Sequence, residues 1–293
     1  MQIMALSLLV LAAGMGSRYG GLKQLEPVGP SGELLLDYAV FDAARAGFAR
    51  VVFVIRREFA AEFREKIGGR YAGRLAVDYV FQSLDSLPGG FTPAPGREKP
   101  WGTGHALWCA REAVPENFVA INADDFYGAA AFAQLAQFLA RARRAEFALA
   151  GYRLADTLSE HGAVSRGVCA TDTQGELHTI AERTGITPAE IGPGRKFSGE
   201  ETVSMNCWGL TPAVFSLLED RLTEFLHANA TDAKAEFYLP TAISALITRG
   251  EAAVRVLPVA SAWFGVTYRE DRARVQAALA ELVRRGHYPA RLF

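Results

Sequence analysis

The chain has 293 residues, and its 31 basic and 32 acidic residues give a formal net charge of −1. This balance does not favour nucleic acid or an anionic membrane as a partner, so neither is expected. Half of the residues are hydrophobic, which is enough for one large domain or two smaller ones. The three cysteines (Cys109, Cys169 and Cys207) are scattered, which argues against a disulfide framework and against a zinc site.

Residues 1–13 are apolar, as in a signal peptide. They carry no basic segment, a glycine-rich stretch follows without a convincing processing site, and the run is too short to span a bilayer. We therefore expect a soluble, cytoplasmic protein.

The first half of the chain alternates between predicted strands and helices. Strands are predicted at residues 6–11, 50–57, 75–81, 118–122 and 146–154, and helices at 34–46, 58–67, 106–113 and 129–144. This alternation is typical of a mainly parallel sheet that helices cover on both faces. Such sheets bind ligands beyond the carboxyl ends of their strands, where residues 12–25 and 122–127 would fall.

The second half has a different pattern. Residues 164–170 and 177–182 are predicted to pair as antiparallel strands, and residues 185–201 form a loop rich in glycine and proline. Further strands are predicted at 203–209 and 254–258, and helices at 211–228, 237–249 and 270–285. No repeat or linker is visible, so we predict one compact domain.

The stretch "LAAGMGSRYGGLKQL", residues 11–25, follows the first predicted strand directly. Glycines let backbone N–H groups approach an anion closely, and Arg18 and Lys23 could add charge-assisted hydrogen bonds to it. The glycine spacing departs from the dinucleotide fingerprint, and the Gly-Lys-Ser/Thr of a Walker loop is missing. A plain glycine turn with solvated cations is the alternative interpretation.

This stretch resembles the signature of nucleotidyltransferases that make nucleotide sugars, in which a lysine follows L-A-A-G-x-G-x-R shortly before Pro and Val. Later segments resemble the family in the same order: "FQSLD", "KPWGTGHAL", "INADDFYG", "IAER", "SMNCWGL" and "EFYLPTAI". The resemblance implies an α/β, Rossmann-like nucleotide-diphospho-sugar transferase fold. Its mainly parallel central sheet would be flanked by helices and carry a smaller antiparallel β elaboration. Residues of about 1–150 would bind nucleotide and about 151–293 the sugar phosphate.

The resemblance also implies the chemistry: a sugar 1-phosphate attacks the α-phosphorus of a nucleoside triphosphate and pyrophosphate leaves. The implied catalytic residues are Arg18, Lys23 and Asp124, with Mg²⁺ as cofactor on Asp124 and Asp125. The implied nucleotide-binding residues are Ala12, Ala13, Gly14, Gly16, Gln82, Gly102, Thr103 and Gly104. The candidates for binding the sugar phosphate are Glu182, Arg183, Asn206 and Lys196.

Each candidate also has a structural interpretation. Asp124 and Asp125 could cap the helix that follows them, and Gln82 could be a polar strand end. The pair Glu182 and Arg183 could lie on the surface, and Lys196 could be solvated.

The chain departs from the family at two points. Many relatives carry a second metal-binding aspartate late in the chain, where Gly265 or Val266 stands here. Glu182 and Arg183 replace the Glu-Lys pair of many relatives. A non-sugar acceptor such as choline or polyol phosphate, or a catalytically weak binding relative, therefore remains an alternative, and a nicotinamide-dependent oxidoreductase is a third. Within the leading hypothesis we expect UTP and glucose 1-phosphate; no pattern predicts the oligomeric state.

Overall fold

The structure is a computed structural model that describes residues 6–14, 25–265 and 270–293. Its strands are β1 (Leu6–Leu11), β2 (Phe48–Ile55), β3 (Ala76–Phe81), β4 (Phe118–Asn122), β5 (Asp125–Phe126), β6 (Glu146–Arg153), β7 (Val164–Thr171), β8 (Leu177–Ile186), β9 (Thr202–Leu210), β10 (Ala253–Pro258) and β11 (Phe264–Gly265). Its α-helices are α1 (Leu35–Arg45), α2 (Ala60–Ile67), α3 (Thr103–Trp108), α4 (Ala129–Leu139), α5 (Ala213–Ala228), α6 (Leu239–Thr248) and α7 (Asp271–Arg284). None of these helices is long and apolar enough to cross a membrane.

The main sheet has the strand order β10-β6-β9-β4-β1-β2-β3. Strand β9 runs antiparallel to both of its neighbours, β4 and β6, whereas the other adjacent pairs along this order are parallel. The pair β7–β8 is antiparallel and joins the sheet through β9. The predicted fold class, a mainly parallel sheet with an antiparallel addition, is confirmed.

Side chains on the two faces of the sheet enter two separate cores. In β1, Leu8 and Val10 pack into a core that includes α1, α2 and α4, while Leu9 packs into the core on the other face, with α3, α5 and α6. All three side chains are fully buried. A strand covered on both faces needs apolar residues at successive positions, which explains why this segment shows no polar alternation.

A third apolar cluster joins the C-terminal helix α7 to α1 and to the small sheet β5–β11. The rings of Phe126 and Phe264 stack across that small sheet with centroids 4.3 Å apart. From α7, Arg272 donates a hydrogen bond to the carbonyl of Pro27 at 3.1 Å and forms an ion pair with Glu26 at 3.4 Å. Helix α7 therefore holds the chain just after residues 15–24.

Asp42 on α1 makes the stability of this region dependent on pH. Its carboxyl is buried, accepts a 2.6 Å hydrogen bond from the Tyr288 hydroxyl, and leaves its other oxygen without a partner among the described residues. Burial raises the pKa of Asp42 to about 7. The folded protein thus binds this proton more tightly than the unfolded chain, whose aspartates titrate near pH 4, and the extra stability is lost as pH rises through about 7.

We expect Asp42→Asn to reduce the loss of unfolding free energy between about pH 5 and about pH 8, a loss on the order of a few kcal/mol in the wild type. Urea unfolding at both pH values measures this. Asp220→Asn, on the exposed side of α5, is the matched control and should keep the wild-type slope. An unchanged slope in Asp42→Asn would show that this carboxyl is not the titrating group.

Candidate active site

The carboxyl ends of β1, β3 and β4 lie at one edge of the sheet, because these strands are parallel. Two cavities open there, of about 340 and about 240 Å³. Asn122 and Asp124, at the end of β4, line both of them. The larger is called the first cavity below and the smaller the second cavity.

The first cavity contains most of the predicted nucleotide-binding residues. It is lined by Leu11, Ala13, Gly14, Gln82, Lys99, Pro100, Gly102, Thr103, Ala106, Asn122, Asp124, Glu236 and Tyr238. A Cβ atom built on Gly14 would meet nothing within 4 Å among the described residues. Packing among the described residues therefore does not demand a glycine here, and Gly14 forms part of the cavity wall.

The orientation of the Gln82 amide is set by a buried histidine. His105 Nε2 lies 2.5 Å from the Ser86 carbonyl, which can only accept, so this nitrogen carries the proton. His105 Nδ1 then accepts a 3.0 Å hydrogen bond from Gln82 Nε2, whose second hydrogen goes to the Gly102 carbonyl at 3.0 Å. Burial lowers the pKa of His105 to about 4, so the ring is neutral at pH 7. Both amide hydrogens of Gln82 are therefore used, and its carbonyl oxygen remains as an acceptor on a residue that lines the cavity.

Two chain segments close the outer side of the first cavity by pairing with each other. Gly104 N–H donates to the carbonyl of Phe237 at 2.9 Å, and Phe237 N–H donates to that of Trp101 at 2.6 Å. An ion pair of 2.8 Å joins Lys99 to Glu236. The pairing also explains why α3 begins at Thr103 rather than at the predicted residue 106: the Thr103 hydroxyl accepts the Leu239 N–H at 3.1 Å and fixes the first turn.

Gly102 cannot carry a side chain without cost. Its φ of +98° and ψ of −180° belong to a region that only glycine adopts readily, and an added Cβ would lie 2.7 Å from the Phe237 carbonyl oxygen. We expect Gly102→Ala to lower the unfolding free energy by roughly 3 kcal/mol, from backbone strain and the clash together. Urea unfolding measures the loss.

Gly96→Ala is the control for that prediction. Gly96 also has a positive φ, +75°, but an added Cβ would meet nothing within 4 Å among the described residues. We expect it to cost only about 1 kcal/mol. Equal losses of unfolding free energy in the two variants would show that the contact with Phe237 does not contribute to the effect of Gly102→Ala.

Asp124 and Asp125 lie between the two cavities. Asp124 is half-buried and lines both, while Asp125 is buried in β5 and lines the second. One oxygen of Asp125 accepts a 2.9 Å hydrogen bond from the Asn122 amide and lies 3.1 Å from the Tyr127 hydroxyl. Two carboxylates are hard oxygen donors that suit Mg²⁺ when substrate phosphates complete the shell. Within the described ranges, no group of three or more His, Cys, Asp or Glu residues could hold a metal.

Gly265, one of the two positions at which a late aspartate is expected, lies beside Asp125. Gly265 in β11 lies directly opposite Asp125 in β5, and an added Cβ would come 2.6 Å from an oxygen of Asp125. A side chain at residue 265 would therefore require the Asp125 carboxylate to move. Val266, the other position considered, lies outside the described residues.

The second cavity is polar and lies between the end of β4 and strands β7–β9. Its lining is Asn122, Asp124, Asp125, Ser165, Arg166, Gly167, Glu182, Ser204, Met205, Asn206, Pro240 and Trp263. Asn206 has a left-handed backbone, φ +57°, inside β9, where β6 and β9 shift register. This conformation is unusual for a residue in a strand, and it places Asn206 in the lining of the cavity.

The predicted site residues have different outcomes. Arg18, Lys23 and Gly16 lie outside the described residues. Nine predicted residues line one or both cavities: Ala13, Gly14, Gln82, Gly102, Thr103, Asp124, Asp125, Glu182 and Asn206. Four others, Ala12, Gly104, Arg183 and Lys196, line neither cavity. Ala12 is buried directly after β1, and Gly104 packs against Phe237. Arg183 and Lys196 are exposed, and Lys196 forms an ion pair with Glu190 at 3.3 Å.

Sequence reasoning missed three charged residues of the cavities, Lys99, Arg166 and Glu236, and one tyrosine, Tyr238. Three of them stand inside segments already singled out for their likeness to the family, "KPWGTGHAL" and "EFYLPTAI", so that signal was present. Arg166 stands in no such segment.

The sheet is mainly parallel, Gly14 borders a cavity after its first strand, and Asp124 lines both cavities; this arrangement fits a nucleotidyltransferase fold. The model of the MobA-like NTP transferase domain matches residues 8–160, just over half of the chain. The chain therefore belongs to the family of MobA-like NTP transferase domains, which are nucleotidyltransferases. It matches no curated protein.

Three solved structures are similar over nearly their whole length. The inositol-1-phosphate CTP transferase from T. maritima is 14% identical, with 96% of this chain and 97% of that chain covered and a TM-score of 0.66. A Bacillus anthracis protein assigned as a glucose-1-phosphate thymidylyltransferase, solved in complex with sucrose, is 17% identical. The match covers 94% of this chain and 95% of that chain, with a TM-score of 0.65. A UDP-glucose pyrophosphorylase complexed with UDP-glucose is 16% identical. The match covers 95% of this chain and 99% of that chain, with a TM-score of 0.60. At these identities the likeness shows a shared fold.

Proposed function

We propose that this protein transfers a nucleotidyl group from a nucleoside triphosphate to a sugar phosphate or polyol phosphate, releasing pyrophosphate. The observation that carries the proposal is the pair of cavities on either side of Asp124. One is suited to a nucleotide and the other to a small polar acceptor, and the family and the acceptors named for the structural neighbours agree with this division.

In the proposed reaction an oxygen of the acceptor phosphate attacks the α-phosphorus. The bond from that phosphorus to the oxygen bridging to the β-phosphorus breaks, and pyrophosphate leaves with the bridging oxygen. The acceptor phosphate is already an anion, so no general base is needed. The protein would contribute position and charge, with Arg18 and Lys23 on the triphosphate and Gly14 in the cavity wall beside it.

We propose Asp124 and Asp125 as the ligands of Mg²⁺. Their carboxylates fit the donor chemistry of that ion, and Gly265 leaves the space that Asp125 occupies. When bound, the ion neutralises phosphate oxygens that would otherwise repel each other.

We propose UTP as the triphosphate. Gln82 lines the first cavity and both hydrogens of its amide are used within the protein, so its carbonyl oxygen is the group that could accept the ring N–H of uracil. Thymine shares this N–H, and cytosine offers an exocyclic amine instead, so both belong in the test.

The test is pyrophosphate release with magnesium, pairing each common nucleoside triphosphate with phosphorylated sugars and polyols. The proposal expects fast release for one acceptor class and none without acceptor. Release that does not depend on any acceptor, or no release from any pair, would contradict it. A preferred triphosphate other than UTP would overturn the proposed base alone.

A further inference from the structure

Arg166 on β7 is a buried cation in the wall of the second cavity, with 8% of its surface exposed. Its Nε–H donates to the Thr157 hydroxyl at 3.1 Å and one Nη–H to the Ser165 carbonyl at 2.8 Å. The other Nη donates to the Thr157 carbonyl. The guanidinium also lies 5.0 Å from the ring centre of Trp263, which lines the same cavity.

These contacts hold the side chain but do not neutralise it. A guanidinium has five N–H groups, and three are used, so one remains on each terminal nitrogen. All three acceptors are uncharged. Burial lowers the pKa of Arg166 and outweighs Asp125, Glu182 and Asp271, which act to raise it. Among the described residues, no carboxylate hydrogen-bonds to this guanidinium.

A buried charge without a hydrogen-bonded counter-ion is costly, and an anion bound in this cavity would offset that cost. Arg97 is a useful contrast. It is equally buried, but the carbonyls of Pro100, Asp232 and Ala235 surround it and it lines neither cavity. Arg97 therefore joins two chain segments, whereas Arg166 borders open space.

We infer that Arg166 binds the phosphate group of the acceptor and makes the second cavity selective for phosphorylated over unphosphorylated ligands. The inference deepens the proposed function and rests on it for the role of the ligand as acceptor. A held guanidinium that keeps one N–H on each terminal nitrogen can offer both hydrogens to the oxygens of a phosphate. Since Arg166 and Asp124 share this cavity, a phosphate bound there lies beside the first cavity, where the α-phosphate would arrive.

Titration calorimetry with the full chain tests the inference without turnover. The probes are glucose 1-phosphate, inositol 1-phosphate and inorganic phosphate, each with magnesium, against glucose and inositol. In Arg166→Met, affinity for a phosphorylated probe should fall at least roughly tenfold, whereas the unphosphorylated compounds should change little. Arg153→Met is the matched control, because Arg153 begins the turn that carries Thr157, is exposed and lines neither cavity.

The outcomes separate the inference from its rivals. If a folded Arg166→Met keeps its affinity for every phosphorylated probe, the inference is overturned. It is also overturned if the variant loses affinity for the unphosphorylated compounds to the same extent. A loss that appears in Arg183→Met instead overturns it as well. If the methionine variant does not fold, Arg166→Lys decides: losing the forked N–H pair should weaken the phosphorylated probes several-fold, and unchanged affinity overturns the inference.

These results do not depend on catalysis. If the wild type releases no pyrophosphate, the proposed function fails, while a phosphate-specific loss in Arg166→Met still supports the binding role. If pyrophosphate is released and Arg166→Met keeps a wild-type KM for acceptor, the proposed function stands and this inference fails.

Discussion

Asp124→Asn is expected to lower the rate of pyrophosphate release by roughly 10²-fold or more and to leave the fold intact. Asp124 is half-buried at the end of β4 and lines both cavities, so it stands where the two phosphates would meet. Asparagine keeps the shape of the side chain but removes its charge, so the loss reports on electrostatics and metal binding rather than on packing.

The measurement is a magnesium titration of the initial rate in Asp124→Asn and the wild type, with the melting temperature as a check on folding. Asp220→Asn, on the exposed side of α5, removes the same charge away from both cavities and should behave as the wild type. A normal magnesium dependence in Asp124→Asn would place the metal site elsewhere.

Lys23→Ala is expected to reduce turnover by a similar factor, roughly 10² or more, if its charge stabilises the transition state. Lys23 lies outside the described residues, and the expectation comes from the motif in residues 11–25. Of the described residues on either side, Gly14 borders the first cavity and Leu25 is buried in the core.

Steady-state kinetics measures this effect, and the split between kcat and KM shows what Lys23 does. A fall in kcat means that the charge acts in the transition state, whereas a rise in KM alone means uniform binding. Lys66→Ala, which removes an exposed lysine paired with Glu62 on α2, should leave both parameters unchanged. Near-normal turnover in Lys23→Ala would refute its assigned role.

The fold was largely predictable because its central strands are buried on both faces. Residues 6–11 and 118–122 were predicted as strands and match β1 and β4 to the residue. Helix α3 was predicted at 106–113 but spans Thr103–Trp108, because a segment more than 130 residues away fixes its first turn. Local pattern contains no information about such a contact.

The candidate site was predictable where a motif marks it. Gln82 and Asp124 were found through segments that resemble the family, and both line the first cavity; their roles remain predictions. Arg166 was missed because an arginine in a strand has no distinctive sequence pattern. What distinguishes it is burial beside Thr157 and Trp263, which the fold brings together from separate parts of the chain.

The central claim is that the bond between the α- and β-phosphates breaks and the α-phosphate joins the acceptor. Incubation with α-labelled or γ-labelled triphosphate, magnesium and the best phosphorylated acceptor tests it directly. The account predicts that the α-label enters the new diester and the γ-label leaves in pyrophosphate. A γ-label on the acceptor, or an α-label found only in free nucleotide, would contradict it.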